Sequence, residues 1–361
     1  MKVAIRADAS PQIGTGHIRR MLSLAKALRS SGADVLFVTR DLGLNASTTV
    51  EQEGFRATVL PAPSGKAEPD ATIPHSHWSE VSQEQDIAET TAALSDFVPA
   101  RVIIDHYAFD ARWHDQVADA LGAPVMVIDD LADRTLSGRW LVDHNYHPDH
   151  GAKFSGRLGK ETRLLGGPSY ALIDPSYADA RRYEFDHDIR SIGVFMGGVD
   201  LGGDTLAVLD ALTEAGWSGP VEVVATSHNP ARDAIAERLA NWPEGILSQD
   251  LPSLAEFFQR HDLQIGAGGG AIWERCCIGP PTIGMVCADN QKKSIPFANA
   301  AGFLLGIDHS DQPVRRHIAL VDALRDLAAS PERRKSLSKT AMKLVDGRGV
   351  TRIVAALESE D

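Results

Sequence analysis

Arg6-Ala7-Asp8-Ala9-Ser10-Pro11-Gln12-Ile13-Gly14-Thr15-Gly16-His17-Ile18-Arg19-Arg20 joins two segments of different periodicity. Before it, Val3 to Ala7 is a short β-branched run of the kind that fills a parallel sheet; after it, apolar residues recur at helical spacing from His17 to Arg29. A strand that runs through a glycine turn straight into a helix opens a βαβ unit. The same alternation continues along the chain. Strands are expected at 34–39, 56–60, 101–106, 125–129 and 140–143, with helices at 83–95 and 110–120. The rhythm restarts with strands at 191–196, 221–225, 263–267 and 282–286, and helices at 204–214, 230–241, 252–261 and 271–277. The reading is α/β: two doubly wound, Rossmann-like domains facing a central cleft, with ligands outside the carboxyl ends of the strands. A polar stretch, 176–188, carries the charge cluster Arg181-Arg182-Tyr183-Glu184 and sets the boundary, giving domains 1–183 and 184–361. From Gln312 on, two or three helices follow, with Gly347 and Gly349 breaking the final pair.

Composition narrows the function. The 361 residues hold 49 acidic and 36 basic side chains, a net charge of −13, and 43% are hydrophobic. Such a chain folds, and with no basic run it makes a poor nucleic-acid partner, because phosphate binding draws on clustered Lys and Arg. Cys276, Cys277 and Cys287 are odd in number and lack a Cys-x-x-Cys pair, which argues against a disulfide framework or a structural zinc site. No stretch approaches the ~18 uninterrupted apolar residues of a membrane span. The expectation is a cytoplasmic protein with no membrane and no nucleic-acid partner, no metal and no cofactor; the sequence does not settle its oligomeric state.

In the opening turn, Gly14 and Gly16 let the backbone approach a ligand, and the helix that follows aims free N–H groups and its positive end at the same spot. The turn lacks the Gly-Lys-Ser/Thr of a Walker loop and the third glycine of the dinucleotide fingerprint. It presents an imidazole, His17, flanked by Asp8 and Ser10 at the carboxyl edge of a strand. The positive helix end favours the neutral, proton-accepting ring, which suits a general base; a plain tight turn is the bland alternative.

The counterpart in the second half is Gly266-Ala267-Gly268-Gly269-Gly270-Ala271-Ile272-Trp273-Glu274, with four glycines in five residues before a helix. Backbone N–H groups at Gly269, Gly270 and Ala271 suit an anion, diphosphate above all. Glu274, about one turn on, is placed to accept hydrogen bonds from ribose hydroxyls, the alternative being an ordinary first-turn acid. A third turn, Met196-Gly197-Gly198-Val199-Asp200, ends the first strand of that half. In the first half, Asp105, His106 and Tyr107 end a strand and are candidates to orient a substrate, as are Asp129 and Asp130; a helix-capping role is equally open. Tyr170 is a further substrate-contact candidate, and Asp250 and Leu251 are candidates for a base pocket. The segment 143–150 has three histidines but no second ligand cluster and reads as loop. The irregular segment 61–78 ends in His75-Ser76-His77-Trp78, read as a mobile rim rather than a metal site, with a lid over the substrate as the alternative, and Cys276 and Cys277 read as small core residues.

Taken together, Arg6-x-Asp8-x-Ser10-x-x-Ile13-Gly14-x-Gly16-His17-x-x-Arg20, Ile104-Asp105-His106-Tyr107, Met196-Gly197-Gly198-x-Asp200 and the glycine-rich helix start ending in Glu274 resemble the UDP-sugar hydrolases of pseudaminic acid biosynthesis, the PseG-like proteins, over roughly 1–307. That resemblance implies a GT-B fold related to the MurG-type glycosyltransferases. It also implies removal of UDP from a UDP-linked diacetamido-trideoxyhexose with inversion at the anomeric carbon. His17 would be the catalytic residue of an N-terminal domain that also holds the sugar. Asn290 would be a substrate contact in a UDP-binding C-terminal domain, and the final helices, around 350–357, would pack back on the first domain. Asp8, Ser10, Gly14, Gly16, Arg20, Asp105 and Tyr107 complete the substrate side, with Asp8 and Tyr107 positioning His17 or the acetamido groups. A MurG-type glycosyltransferase is the rival reading. The long tail and the extended 61–78 segment depart from the compact members and leave the sugar isomer open.

Overall fold

Side chains alternate across the first strand: Val3, Ile5 and Ala7 face one core, Ala4 and Arg6 the other, and all are buried. This double burial is why the strands of the chain read as continuous apolar runs rather than alternating ones. The computed structural model describes residues 1–65, 67–289, 291–309 and 311–359. It divides into two units, Met1–Pro175 joined by the segment from Arg348, and Ser176–Gly347. The division thus falls eight residues before the expected boundary at 183, and the last helix, Gly349–Glu358, belongs to the first unit.

The first unit holds strands β1 (Lys2–Ala7), β2 (Asp34–Arg40), β3 (Arg56–Leu60), β4 (Arg101–Asp105), β5 (Val125–Ile128), β6 (Trp140–Asp143) and β7 (Arg163–Gly166). They form one parallel sheet in the order β3-β2-β1-β4-β5-β6-β7. The order reverses between β1 and β4, where Ala7 pairs with Asp105, so the ends of these two strands flank the switch point at which doubly wound sheets bind ligands. On one face, Ile18, Met21 and Leu24 of the helix Gly16–Ser30 pack with Val350, Ile353 and Leu357 of the last helix. On the other, helices Gln83–Leu94 and Ala111–Leu121 bury Ile87, Leu94, Trp113 and Val117.

The second unit repeats the plan with β8 (Ile192–Phe195), β9 (Val221–Ala225), β10 (Gly245–Gln249), β11 (Leu263–Ala267), β12 (Thr282–Met285) and β13 (Leu305–Ile307). Their order, β10-β9-β8-β11-β12-β13, puts the switch between β8 and β11, the two strands that run into glycine turns. Strands β7, β10 and β13 have no counterpart among the strands expected from the sequence. All three are short edge strands, and β7 and β10 are only partly buried, which weakens any hydrophobic pattern. Among the described residues, no helix is long and apolar enough to cross a membrane.

Candidate functional site

The turn from β1 folds on itself before the helix starts. Ser10 Oγ accepts the N–H groups of Gln12 and Ile13, and Ser10 O accepts the N–H of Gly14 at 2.7 Å. Gly14 sits at φ +75°, a conformation that disfavours a side chain. A methyl group added at Gly14 or Gly16 would meet no atom within 4 Å, so both glycines border open space. The helix begins at Gly16, one residue earlier than the sequence suggests, and carries His17 on its first turn. His17 is 7% exposed.

Its partner is Asp105. His17 Nδ1 lies 2.7 Å from Asp105 Oδ1, and among the described residues Nε2 has no hydrogen-bond partner, nor is it among the atoms sealed from solvent. A proton on Nδ1, held by the carboxylate, leaves the Nε2 lone pair as an acceptor, the orientation of a histidine general base. Arg20 donates to Asp105 through Nε at 2.6 Å and Nη2 at 2.5 Å. Burial alone would raise the Asp105 carboxyl; the Arg20 guanidinium and His17 outweigh it and hold it well below the usual carboxylate range. Tyr107 meets His17 edge-on, ring centres 4.8 Å apart, and its hydroxyl donates to Asp130, which also accepts from Asn145 at 2.5 Å.

Asp8 does not join this group. Alternation puts Asp105 on the face covered by the helix Gly16–Ser30 and Asp8 on the opposite face, where it takes hydrogen bonds from Arg6, Thr39 Oγ1 and, at 2.7 Å, the N–H of Arg40. His106 follows it, with Nε2 3.3 Å from Asp8 Oδ2. The network continues through Arg6 and Arg40 to Asp86 and from Arg40 to Glu89, a buried ionic scaffold behind the turn. Arg20, expected to touch substrate, points its guanidinium inward to Asp105. Of the pair after β5, Asp129 caps its own turn through the N–H groups of Leu131 and Ala132, and Asp130 belongs to the site. Tyr170 packs at the edge of the core beside Gly349.

Two residues that the sequence leaves in loops without a role at His17 contribute here. The three-residue turn Ser76–Trp78 sets a half-buried Trp78 edge-on to His17 at 6.4 Å and beside Tyr107 at 5.7 Å, with His75 4.7 Å from Trp78. On either side of this turn Ile73 and Val81 are buried, and Arg112 pairs with Asp70 at 2.5 Å. His144, dismissed with its loop, is 5% exposed and accepts from Arg20 Nη1 at 3.3 Å; burial, then the Arg20 charge, lower its pKa to about 4.

In the second unit, the glycine run serves packing first. A methyl group on Gly266 would lie 1.8 Å from Arg275 Nη1, and one on Gly268 2.6 Å from Ile295 Cδ1. Arg275 is fully buried, donates to Ala267 O at 2.6 Å, and is pushed down to about 10 by burial. The N–H groups of Gly268, Ile272 and Trp273 are taken by Met285 O, Gly269 O and Gly270 O. Among the described residues, no acceptor takes those of Gly269, Gly270 and Ala271, and a methyl group on Gly270 would meet nothing within 4 Å. Gln291 borders this cradle: its Oε1 accepts the Cys287 N–H at 2.9 Å, and its Nε2 is 3.8 Å from the place of a Gly269 Cβ. Nothing in the local sequence marks it, because the approach is made by the tertiary fold.

Glu274 is half-buried and engages the hydroxyl of Tyr177, which accepts the Leu254 N–H at 3.2 Å; burial, then Glu274, hold that phenol well above its ordinary range. Gly197 is open at φ +96° and Gly198 abuts Thr226, whereas Asp200 caps the next helix through the N–H groups of Asp204 and Thr205. Asp250 ends β10, with β9 and β8 separating that strand from β11, and accepts the Ser227 N–H; the segment reaches the cradle's neighbourhood through Leu254 instead. Asn290 lies outside the described residues. Cys276 and Cys277 are buried, their thiols pushed up by burial to about 12 and 11. Among the described residues, no group of three or more His, Cys, Asp or Glu is arranged to hold a metal ion.

Two parallel-sheet α/β units with glycine turns at both switch points define a GT-B-like protein, and solved structures agree. MurG from Acinetobacter baumannii superposes with a TM-score of 0.67 at 13% identity over 99% of both chains. UGT2 of Phytolacca americana, solved with UDP-2-fluoro-glucose and pterostilbene, superposes with a TM-score of 0.69 at 14% identity over 100% of both. In sequence, the chain is 22% identical over 99% of its length to the spore coat polysaccharide biosynthesis protein SpsG of Bacillus subtilis, of which it covers 98%. No protein-family model matches the chain.

Proposed function

We propose that the protein hydrolyses a UDP-linked diacetamido-trideoxyhexose at the anomeric carbon, releasing UDP and the inverted free sugar for nonulosonic acid synthesis. The observation that carries the reading is the His17–Asp105 pair, with Nε2 left free at the carboxyl edge of the sheet. In the mechanism, water attacks the anomeric carbon and gives a proton to His17 Nε2. The bond from that carbon to the β-phosphate oxygen breaks with its electron pair, and Asp105 stabilises the imidazolium. The second unit holds the leaving UDP: the N–H groups of Gly269, Gly270 and Ala271, untaken among the described residues, meet the growing phosphate charge, and Glu274 binds the ribose hydroxyls. On this reading Tyr107 and Trp78 wall the sugar, Ser10, Gly14, Gly16, Gly197 and Gly198 shape the turns around the substrate, and Asn290 is a substrate contact. Support comes from two sides: a UDP-sugar in one structural neighbour, and polysaccharide biosynthesis in the printed name of the relative.

The rival reading is glycosyl transfer, favoured by the neighbour named MurG, in which an alcohol replaces water. Incubation with the UDP-sugar alone decides. Stoichiometric UDP and free sugar support hydrolysis; no release until an alcohol is supplied supports transfer; deuterium incorporated at C2 from heavy water points to a hydrolysing epimerase.

A further inference from the structure

Arg20 lies three residues after His17 on the same helix, so the two side chains share a face. Its guanidinium grips Asp105 in a fork, Nε on Oδ2 at 2.6 Å and Nη2 on Oδ1 at 2.5 Å, which fixes the carboxylate plane. Nη1 donates to His144 Nε2 and Nη2 reaches Tyr107 Oη, both at 3.3 Å. The remaining neighbour matters most. Nη2 lies 3.2 Å from His17 Nδ1, the nitrogen that meets Asp105 Oδ1 at 2.7 Å. That nitrogen cannot donate to Asp105 and accept from Arg20 at once. The shorter, charge-assisted contact wins, so the proton resides on Nδ1 and the lone pair on Nε2.

We propose that Arg20 is the positioning residue of this site: by locking Asp105 in a fork it decides which nitrogen of His17 carries the proton and keeps Nε2 as the acceptor. Its catalytic consequence rests on the hydrolase reading; its geometry does not. Asp105 is bonded by His17 and Arg20 from the helix; Arg20 in turn meets Tyr107 beyond β4 and His144 beyond β6, Tyr107 meets Asp130 beyond β5, and Arg20 alone among these carries a fixed positive charge. Without it, burial dominates and the Asp105 carboxyl titrates at higher pH. The ionised carboxylate is then lost sooner as pH falls, so the acid limb of a His17-dependent rate moves to higher pH.

The test uses the substrate-free full chain as wild type, Arg20→Gln and Arg20→Lys. Nitrogen-15 spectra of histidine-labelled protein read the His17 tautomer, with His17→Gln assigning the signal, and carbonyl carbon-13 spectra read the Asp105 titration. The expected result is one Nδ1–H tautomer in wild type and a mixture in Arg20→Gln, with the Asp105 titration moved up by about one to three pH units. Arg20→Lys, which keeps the charge but loses the fork, restores the titration but not the single tautomer. In UDP-release assays kcat falls roughly 100-fold in Arg20→Gln with KM little changed. A single Nδ1–H tautomer and an unmoved Asp105 titration in both variants would overturn the proposal, as would a raised KM with normal kcat, the mark of a substrate contact. If Arg20→Gln does not fold, Arg20→Lys decides on its tautomer alone. If wild type releases no UDP, the hydrolase reading fails while the spectra still decide the role of Arg20.

Discussion

Both glycine turns leave the carboxyl end of a buried parallel strand at a switch point and enter a helix, yet glycine is required for opposite reasons. At Gly14 the backbone needs it, φ being +75° with open space around; at Gly266 and Gly268 the neighbours need it, because Arg275 and Ile295 occupy the place of a Cβ. The first turn is empty so that a side chain, His17, can be presented beside it. The second is packed from behind and open at its tip, so that main-chain N–H groups are what it presents. On the proposed reading, one turn would supply a proton acceptor and the other a set of donors, the two things hydrolysis of a nucleotide-sugar requires.

Substitutions sharpen that contrast, beginning with the largest effect. His17→Ala should reduce turnover by about two to four orders of magnitude while UDP affinity, measured by calorimetry, is unchanged; near-normal turnover would break the division of labour. Gly266→Ala forces a methyl group onto a buried guanidinium and should destabilise the second unit by about 3 kcal/mol, lowering the Tm by roughly 6–12 °C in calorimetric scans. An unchanged Tm would show that the run is not crowded. Glu274→Ala should weaken UDP binding about tenfold with little effect on the bound complex's rate, and equal losses for UDP and free uracil would remove its ribose role. Gly270→Ala, at the open tip, should leave Tm unaltered and weaken UDP only a few-fold.

The two units should also differ in acid. Burial, before any charge effect, lowers His114 to about 3 and His144 to about 4 in the first unit, against 6.5 when unfolded. Below 6.5 the unfolded chain binds protons the folded unit refuses, so stability is lost as pH drops from 6.5 toward 4. In the second unit, burial of Glu222 is outweighed by His261 and Arg260, which lower it to about 2; its contribution persists until pH falls below about 4.5. Hydrogen exchange between pH 7 and 4 should therefore show the first unit opening at the higher pH, and simultaneous opening would contradict this.

Much of this was legible in the chain. Strand-glycine-helix junctions are local patterns, and they give the βαβ plan and the places of His17 and the second glycine run at strand ends. The partner of His17 was not, because Asp8 and Asp105 end neighbouring strands and only the two-residue alternation separates them: odd positions of β1 and β4 face the helix that carries His17. Arg6, Arg40 and Asp86 form a buried network that no local pattern announces, because the three stand on separate elements. Trp78, Gln291 and Tyr177 reach their places by tertiary packing from segments with no motif of their own, and edge strands such as β10 are too exposed to show a pattern.

The most direct measurement is proton NMR of the purified protein with a UDP-diacetamido-trideoxyhexose as the only added substrate, followed from the first minute. The account predicts equimolar UDP and a free sugar that first appears with the opposite anomeric configuration, and no such products with His17→Ala. Intact substrate after hours with wild type, or release that waits for an added alcohol, would contradict it.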